Sequence, residues 1–229
     1  MNQAKNGKKI LLLYYSFSGQ TGSLIRKLAA GLREKGLQLE KEKLVPVPSL
    51  RFPVGSVGAT IGMMLSTFIR RRVGIKELSP VCFKEYDLVI LAGPTWSYNP
   101  SGPVMSLFDR DGRRVFNGKT VLPMISCRGY WRTHWWGLKA LLHKCNARVV
   151  NCIVFSHPTP EPWRTLGVFL KIAGRHPERS AFFSRFYKHF GHSPGQSEEA
   201  RRFGNLIGEA LINDTPLTEL DFRTRTARP

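Results

Sequence analysis

Residues 10–22 read Ile-Leu-Leu-Leu-Tyr-Tyr-Ser-Phe-Ser-Gly-Gln-Thr-Gly, an apolar run followed by a turn that is rich in hydroxyl groups and glycine. The apolar run lacks the polar alternation of a half-exposed strand, so it predicts a strand buried on both faces, as in a parallel sheet. Leu24, Ile25, Leu28 and Leu32 then repeat at helical spacing, which predicts that a helix begins directly after the turn.

Three hydroxyl side chains lie within this turn, on Ser16, Ser18 and Thr21, and Gly19 allows the backbone to turn sharply. A helix N-terminus presents unpaired N–H groups and the positive end of the helix dipole, so it favours a phosphate. The turn has no lysine and is therefore neither a Walker A loop nor a Gly-x-Gly-x-x-Gly dinucleotide turn. We expect hydroxyls and backbone amides to bind a phosphate here, the alternative being a simple Ser/Thr helix cap.

Strands and helices alternate along the chain, which predicts an α/β fold with a doubly wound, five-stranded parallel sheet. The later strands are expected over residues 37–45, 86–92, 119–126 and 147–155, and the helices over 21–35, 133–144 and 197–212. Ligands of such sheets bind outside the carboxyl ends of the strands. We expect one domain over residues 1–222, followed by a disordered tail over 223–229.

Two insertions, at about residues 46–80 and 156–195, exceed this minimal plan. Both follow the carboxyl end of a strand, so we expect both to overhang the ligand site. Residues 52–69 carry no charge, and their glycines and proline leave three interpretations open: a membrane span, an interfacial helix, or a soluble lid or dimer contact.

The charge of the chain is unusual, with 35 Lys and Arg against 16 Asp and Glu and a formal net charge of +19. Such a field favours polyanions or an anionic membrane, although it also serves solubility alone. The basic residues form no nucleic-acid-binding motif or single stripe, so nucleic acid is not the expected partner. The N-terminus shows no signal sequence, so we expect a cytoplasmic protein, with the inner membrane face as a peripheral location.

The cysteines and histidines predict neither a metal site nor a reactive thiol. The four cysteines form no Cys-x-x-Cys pair and lie in or beside apolar segments, as buried thiols do. His189 and His192 are three residues apart, but no carboxylate or cysteine completes a metal site. His157 follows the fifth strand. Two interpretations of this residue remain open: it contacts a substrate, or it is a loop histidine with no role.

Two further loops are expected at the same edge of the sheet as the hydroxyl-rich turn. Residues 93–103 read Gly-Pro-Thr-Trp-Ser-Tyr-Asn-Pro-Ser-Gly-Pro, a rigid, irregular backbone with two aromatic side chains that suit a flat ring. Residues 126–131 read Ser-Cys-Arg-Gly-Tyr-Trp. A phosphate loop beside two aromatic loops implies a ligand with a phosphate at one end and a planar ring at the other.

These three loops, in this order, resemble the flavodoxin-like superfamily of flavin mononucleotide (FMN) proteins. Ser-x-Ser-Gly-Gln-Thr stands where the family has its Ser/Thr-x-Thr-Gly-x-Thr phosphate loop, and Gly-Pro-Thr-Trp-Ser-Tyr-Asn-Pro resembles the Gly-x-Pro-x-Trp loop of its reductase branch. The likeness covers the core strands and the three loops but neither insertion. More loosely, the whole chain is similar to proteins called dialkylresorcinol condensing enzymes, although it contains no thiolase-like Cys-His constellation for a carbon–carbon condensation.

The resemblance implies a flavodoxin-like sheet, FMN as cofactor and NAD(P)H as reductant. The residues that it implies around the phosphate are Ser16, Ser18, Gly19, Gln20 and Thr21. Those that it implies around the isoalloxazine, with Trp96 or Tyr98 stacking on it, are Pro94, Thr95, Trp96, Ser97 and Tyr98, and those at its other edge are Ser126, Arg128 and Gly129. Arg128 either favours the anionic reduced flavin or is a surface arginine. The flavin carries the chemistry, so no catalytic side chain is predicted.

Three functions are consistent with the sequence. The first is an FMN-dependent NAD(P)H oxidoreductase that reduces an apolar, quinone-like small molecule, and a homodimer or a peripheral membrane contact is compatible with it. The second is a flavodoxin-type electron carrier, against which the charge argues because those carriers are acidic. The third is a basic, non-enzymatic module that binds a membrane or nucleic acid.

Overall fold

The structure is a computed structural model that describes residues 7–229. Residues 1–6, on which the expectation about the N-terminus and the compartment depends, lie outside the described residues. The strands are β1 (Lys9–Tyr14), β2 (Gln38–Lys43), β3 (Leu88–Trp96), β4 (Asn99–Pro100), β5 (Thr120–Cys127), β6 (Arg148–Val149) and β7 (Ile153–Ser156). The α-helices are α1 (Gln20–Glu34), α2 (Val57–Phe68), α3 (Gly102–Arg110), α4 (Gly112–Phe116), α5 (Trp131–Lys144), α6 (Trp163–Ile172) and α7 (Pro194–Ile212).

The sheet is parallel and has the order β2-β1-β3-β5, with β6 and β7 both on the outer side of β5. β1 pairs with β2 and β3, and β5 pairs with β3, all in parallel. The short β4 forms an antiparallel hairpin with the end of β3, which extends that strand beyond the predicted residues 86–92 to Trp96. The doubly wound, flavodoxin-like sheet predicted from the sequence is confirmed.

The fifth predicted strand, residues 147–155, is divided into β6 and β7. The side chain of Asn151 explains the interruption. Its amide nitrogen donates to the carbonyl oxygens of Leu217 and Leu220, each at 2.9 Å, and its amide oxygen accepts from the backbone N–H of Cys152 at 2.8 Å. These bonds draw the backbone away from β5, so the ladder to β5 stops at Val149 and resumes at Ile153.

Alternating residues of the central strands face two separate layers of helices. Ile10 and Leu12 pack against α1 and α7, whereas Leu11 and Leu13 pack against α3, α4 and α5. All four side chains are completely buried. The strand formed by the unbroken apolar run is therefore buried on both faces, as the sequence predicts.

The C-terminal segment differs from the disordered tail that the sequence suggests for residues 223–229. Ala227 is completely buried, and its carbonyl oxygen accepts from the backbone N–H of Ser156 at 2.9 Å and from Nε2 of Gln196 at 3.2 Å. The turn is closed by a bond from the N–H of Arg228 to the carbonyl of Thr224 at 3.0 Å. One small apolar residue that fits beside β7 orders this basic segment.

The two insertions contribute α2 and α6 to the carboxyl edge of the sheet. In the described part of the chain, no helix combines the length and the apolar character that crossing a membrane requires. The buried side chains of α2 are polar, those of Thr60 and Thr67, and the half-buried Met63 and Met64 lie beside them. Its exposed side chains include Ile61, Leu65 and Phe68, of which Leu65 is 65% exposed.

Candidate functional site

A cavity opens at the carboxyl edge of the sheet, where the loops after β1, β3 and β5 meet. The core loops line it with Phe17, Ser18, Gln20, Pro94, Thr95, Trp96, Ser97, Ser126, Cys127 and Arg128. The insertions line it with Phe52, Met63, Met64, Thr67, His157, Val168, Phe169, Ile172 and Phe190. Both insertions therefore lie over the carboxyl edge of the sheet, and the assignment of this cavity as the ligand site stays a prediction.

The roof of the cavity is closed by an aromatic contact between the two insertions. The rings of Phe52 and Phe190 stack with centroids 5.4 Å apart, and Phe52 also packs edge-on against Phe17 at 5.4 Å. The cavity volume is about 130 Å³, below the roughly 300–1,000 Å³ of typical small-molecule sites. A ligand of mononucleotide size therefore requires this roof to move outward.

The hydroxyl-rich turn has the backbone of an anion site. Gly19 has a φ of 85°, in the left-handed region that glycine adopts readily, and α1 begins at the next residue with no acidic side chain in its first turn. The Ser16 hydroxyl accepts from the N–H of Gly22 at 3.1 Å, so Ser16 takes the capping role. Within residues 7–229, the N–H groups of residues 17–21 have no hydrogen bond to a protein acceptor. Successive free amides at a helix start suit a phosphate.

The second insertion lies directly over this turn. Gly191 has a φ of 99°, and a Cβ at this position would come within 2.7–3.1 Å of the amide group of Gln20. The backbone N–H of Gly191 lies 3.3 Å from Nε2 of His157, which ties the insertion to the end of β7. The close approach requires glycine at position 191.

The loop after β3 is held against α2 in a strained conformation. Ser97 and Tyr98 have φ values of 41° and 71°, a range that residues other than glycine rarely adopt. The Ser97 hydroxyl lies 2.6 Å from that of Thr67 and donates to the carbonyl oxygen of Met64 at 3.0 Å. Backbone strain that surrounding contacts maintain is frequent at ligand sites.

Of the two aromatic residues in this loop, only Trp96 lines the cavity. Its ring packs edge-on against Tyr15 and Phe17, with centroids 5.6 and 5.5 Å away. Tyr98 lies outside the cavity, is 43% exposed and contacts the ring of Tyr130 at 5.3 Å. This geometry favours Trp96 over Tyr98 as the side chain beside a planar ligand.

A chain of hydrogen bonds orients Ser126 at the third loop. Nε2 of Gln196 donates to the carbonyl oxygens of Ser156 and Ala227, at 2.7 and 3.2 Å, so its Oε1 faces Nδ1 of His192 at 3.3 Å. Nδ1 then carries the proton, and Nε2 accepts from the Ser126 hydroxyl at 2.8 Å. Burial lowers the pKa of His192 to about 4, which keeps the ring neutral near pH 7. Ser126 therefore presents only lone pairs to the cavity.

Two more histidines near the cavity are buried and neutral. Burial lowers the pKa of His157 and of His134 to about 3. Nδ1 of His134 lies 2.7 Å from the hydroxyl of Thr95, and His157 stacks on Tyr187 with centroids 5.4 Å apart. Burial also raises the pKa of the Cys127 thiol to about 12, as expected for a packed thiol. Residues 7–229 contain no cluster of three or more potential metal ligands.

The structure divides the predicted site residues into two groups. Those that line the cavity are Ser18, Gln20, Pro94, Thr95, Trp96, Ser97, Ser126 and Arg128. Those outside its lining are Ser16, Gly19, Thr21, Tyr98 and Gly129. Among the latter, Gly129 lies beneath Arg164, because a Cβ there would be 2.7–2.9 Å from the guanidinium group. The assignment of these residues to a cofactor stays a prediction.

Sequence reasoning predicted that the insertions lie over the site, but it missed which of their side chains form the roof and which residues are the partners of Ser126. The uncharged residues 52–69 and the aromatic second insertion indicate an apolar roof. Neither segment shows which of its side chains point into the cavity. Ser193 begins α7 with a capping box, in which Gln196 is the fourth-position partner. The capping box accounts for a glutamine at position 196, but it does not predict the contact of this residue with His192.

The solved structures similar to this one include flavoproteins. A protein from Bacteroides eggerthii, described as a flavoprotein, is 17% identical over 74% of this chain and 100% of its own, with a TM-score of 0.52. A flavoprotein from Lactobacillus acidophilus in complex with FMN is 18% identical over 64% of this chain and 92% of its own, with a TM-score of 0.49. No family model matches the chain, and no curated protein matches it. The chain has the flavodoxin-like fold.

Proposed function

We propose that this chain is an FMN-binding oxidoreductase that passes hydride from NAD(P)H to an apolar, quinone-like acceptor. The observation that carries the proposal is the meeting of three loops in one cavity: a turn with free amides, a loop with Trp96, and a loop with Ser126 and Arg128. This arrangement suits a ligand with a phosphate at one end and a planar, polar-edged ring at the other.

The residues present fit FMN. The free N–H groups of residues 17–21 and the Ser18 hydroxyl would hold its phosphate, and Trp96 would lie beside its ring. Ser126, with its proton directed to His192, would accept a hydrogen bond from a ring N–H. Arg128 would stabilise negative charge at the ring edge. When bound, FMN supplies the hydride and electron transfer.

The roof of the cavity supports an apolar acceptor rather than a protein partner. Met63, Met64, Val168, Phe169 and Ile172 come from the two insertions and surround the space above the core loops. A flavodoxin-type carrier passes electrons at an exposed ring edge, which this roof would cover. The net charge of +19 also opposes a carrier that must hold a strongly reducing flavin, because positive charge stabilises the reduced anion.

A contact with an anionic membrane forms part of the proposal. The outer face of α2 exposes Ile61, Leu65 and Phe68, while its inner face contributes Met63, Met64 and Thr67 to the cavity. The exposed residues 70–72, three arginines, follow this helix directly. An apolar helix face beside arginines suits an anionic bilayer, and the repulsion between two highly cationic copies disfavours self-association through this face. An acceptor dissolved in the bilayer would then be close to the cavity.

We expect the natural chain to sediment with vesicles that contain phosphatidylglycerol and not with vesicles of phosphatidylcholine alone. The triple variant Leu65→Glu, Phe68→Glu, Ile69→Glu should bind at least about 10-fold more weakly, since each large apolar side chain contributes roughly 1.5–3 kcal/mol on burial. The control replaces two exposed apolar residues elsewhere, Trp136→Glu and Ile212→Glu, and should bind as the natural chain does. Equal binding by the triple variant, or a dimer that this variant dissociates, would contradict the membrane contact.

The reaction itself is tested with the FMN-loaded protein under anaerobic conditions. We expect NADPH or NADH alone to bleach the flavin absorbance rapidly, and a short-chain quinone to restore it. Bleaching that requires a separate reductase would favour the electron carrier instead. A chain that binds no flavin but binds nucleic acid in a salt-sensitive manner would favour the third function.

A further inference from the structure

A second pocket, lined by five arginines, adjoins the cavity. The five are Arg132, Arg164, Arg223, Arg225 and Arg228, and no carboxylate side chain lines this pocket. Arg164 forms an ion pair with Glu161, with Nε and Oε1 3.0 Å apart. In the part of the chain that the structure describes, the other four form no ion pair with a carboxylate side chain. Several guanidinium groups in one concavity repel each other unless an anion neutralises them.

Three separate parts of the fold bring these arginines together. Arg132 lies in the first turn of α5, Arg164 in the first turn of α6, and the others in the C-terminal segment. That segment is anchored by the buried Ala227 and by its bonds to Ser156 and Gln196. The guanidinium carbons of Arg132 and Arg228 lie 5.1 and 5.4 Å from the ring centroid of Trp131. Contact with the Trp131 ring therefore positions the charges of Arg132 and Arg228.

The arginine pocket and the cavity lie beside the same loop. Arg128 lines the cavity, and the next residue, Gly129, lines the arginine pocket. The guanidinium group of Arg164 occupies the space beside Gly129 where a side chain would otherwise project. The two pockets share no lining residue, but they are adjacent along this loop, so a ligand whose ring lies in the cavity would reach the arginines past residues 128–129.

Resting on the proposed function, we propose that this pocket binds the phosphates of the nicotinamide dinucleotide and selects NADPH over NADH. The planar guanidinium group matches two phosphate oxygens at once, which makes arginine the side chain best suited to phosphate. NADPH carries one phosphate more than NADH, on the adenosine ribose. A pocket lined by five arginines and by no aspartate or glutamate favours the binding of that additional charge.

The test uses two fragments of the dinucleotides, adenosine 2′,5′-bisphosphate and adenosine 5′-monophosphate, in calorimetric titrations at constant ionic strength. We expect the natural chain to bind the bisphosphate at least about 10-fold more tightly, because its additional phosphate can form charge-assisted hydrogen bonds with the guanidinium groups. The variant Arg132→Gln, Arg225→Gln should lose this preference. The control Arg26→Gln, Arg33→Gln removes the same charge from α1, outside the pocket, and should retain it.

Equal affinity for the two fragments in the natural chain would overturn the assignment. An equal loss in both double variants would also overturn it, because the effect would then be one of overall charge. FMN titrations of the same proteins separate this inference from the proposed function. Flavin binding without a preference for the bisphosphate contradicts the arginine pocket alone, whereas the preference without flavin binding contradicts the flavin function and leaves the phosphate site.

Discussion

The variant Ser16→Ala, Ser18→Ala is expected to bind FMN at least about 10-fold more weakly than the natural chain, because a hydrogen bond from Ser18 to a charged phosphate contributes roughly 1.5–3 kcal/mol and Ser16 orders the turn. Ser18 lines the cavity, and Ser16 orders the turn through its bond to the N–H of Gly22. Without Ser16, the free amides of residues 17–21 lose the contact that fixes their direction. Quenching of FMN fluorescence during a titration measures the effect.

A matched control is Ser23→Ala, on the first turns of the same helix but outside the cavity lining. This variant should bind FMN as the natural chain does. The thermal unfolding of all three proteins shows whether a loss of binding is local. If the double variant remains folded and binds FMN with unchanged affinity, the hydroxyl-rich turn is not the phosphate site.

The largest effect on stability is expected from glycines between α1 and α7. A Cβ on Gly31 would lie 2.1 Å from the carbonyl oxygen of Arg201, and one on Gly204 would lie 2.2 Å from that of Leu28. Both obstacles are backbone atoms, so the helices must separate to admit even a methyl group. We expect Gly31→Ala to lower the free energy of unfolding by about 3 kcal/mol or more, as measured by urea denaturation.

Gly62→Ala provides the control, because this glycine is also helical but has no atom within 4 Å of the added Cβ. Alanine has a higher helix propensity than glycine, so the free energy of unfolding of this variant should rise by roughly 0.5–1 kcal/mol. If Gly31→Ala lowers the free energy of unfolding and Gly62→Ala raises it, close packing of α1 on α7 causes the loss of stability in Gly31→Ala. A Gly31→Ala variant as stable as the natural chain would show that the two helices are farther apart.

The parts of the fold that were predictable depend on local patterns. One stretch of sequence contains the apolar run from Ile10 to Tyr15, the turn, and the helical spacing of Leu24 and Leu28. Each of these patterns indicates its local structure without reference to distant residues. The same holds for the apolar residues 88–92 of β3. Topology then places the ends of the parallel strands at one edge, so a site formed by their loops follows from order alone.

The remaining features depend on contacts between distant residues. The interruption between β6 and β7 requires the carbonyls of Leu217 and Leu220, far along the chain from Asn151. The partner of Ser126 is His192, which is 66 residues away. The C-terminal segment is ordered by Ala227 against β7, although its composition is typical of a disordered tail. Neither periodicity nor motif spacing contains these pairings, so sequence patterns alone could not predict them.

The flavin hypothesis is tested most directly by the absorbance spectrum of the purified protein, before and after incubation with FMN and removal of free flavin. We predict that the characteristic peaks of oxidised flavin stay with the protein after desalting and with Ser23→Ala, but not with Ser16→Ala, Ser18→Ala. A folded natural chain that remains colourless after the same treatment would contradict FMN binding, and the flavodoxin-like fold would then serve another ligand.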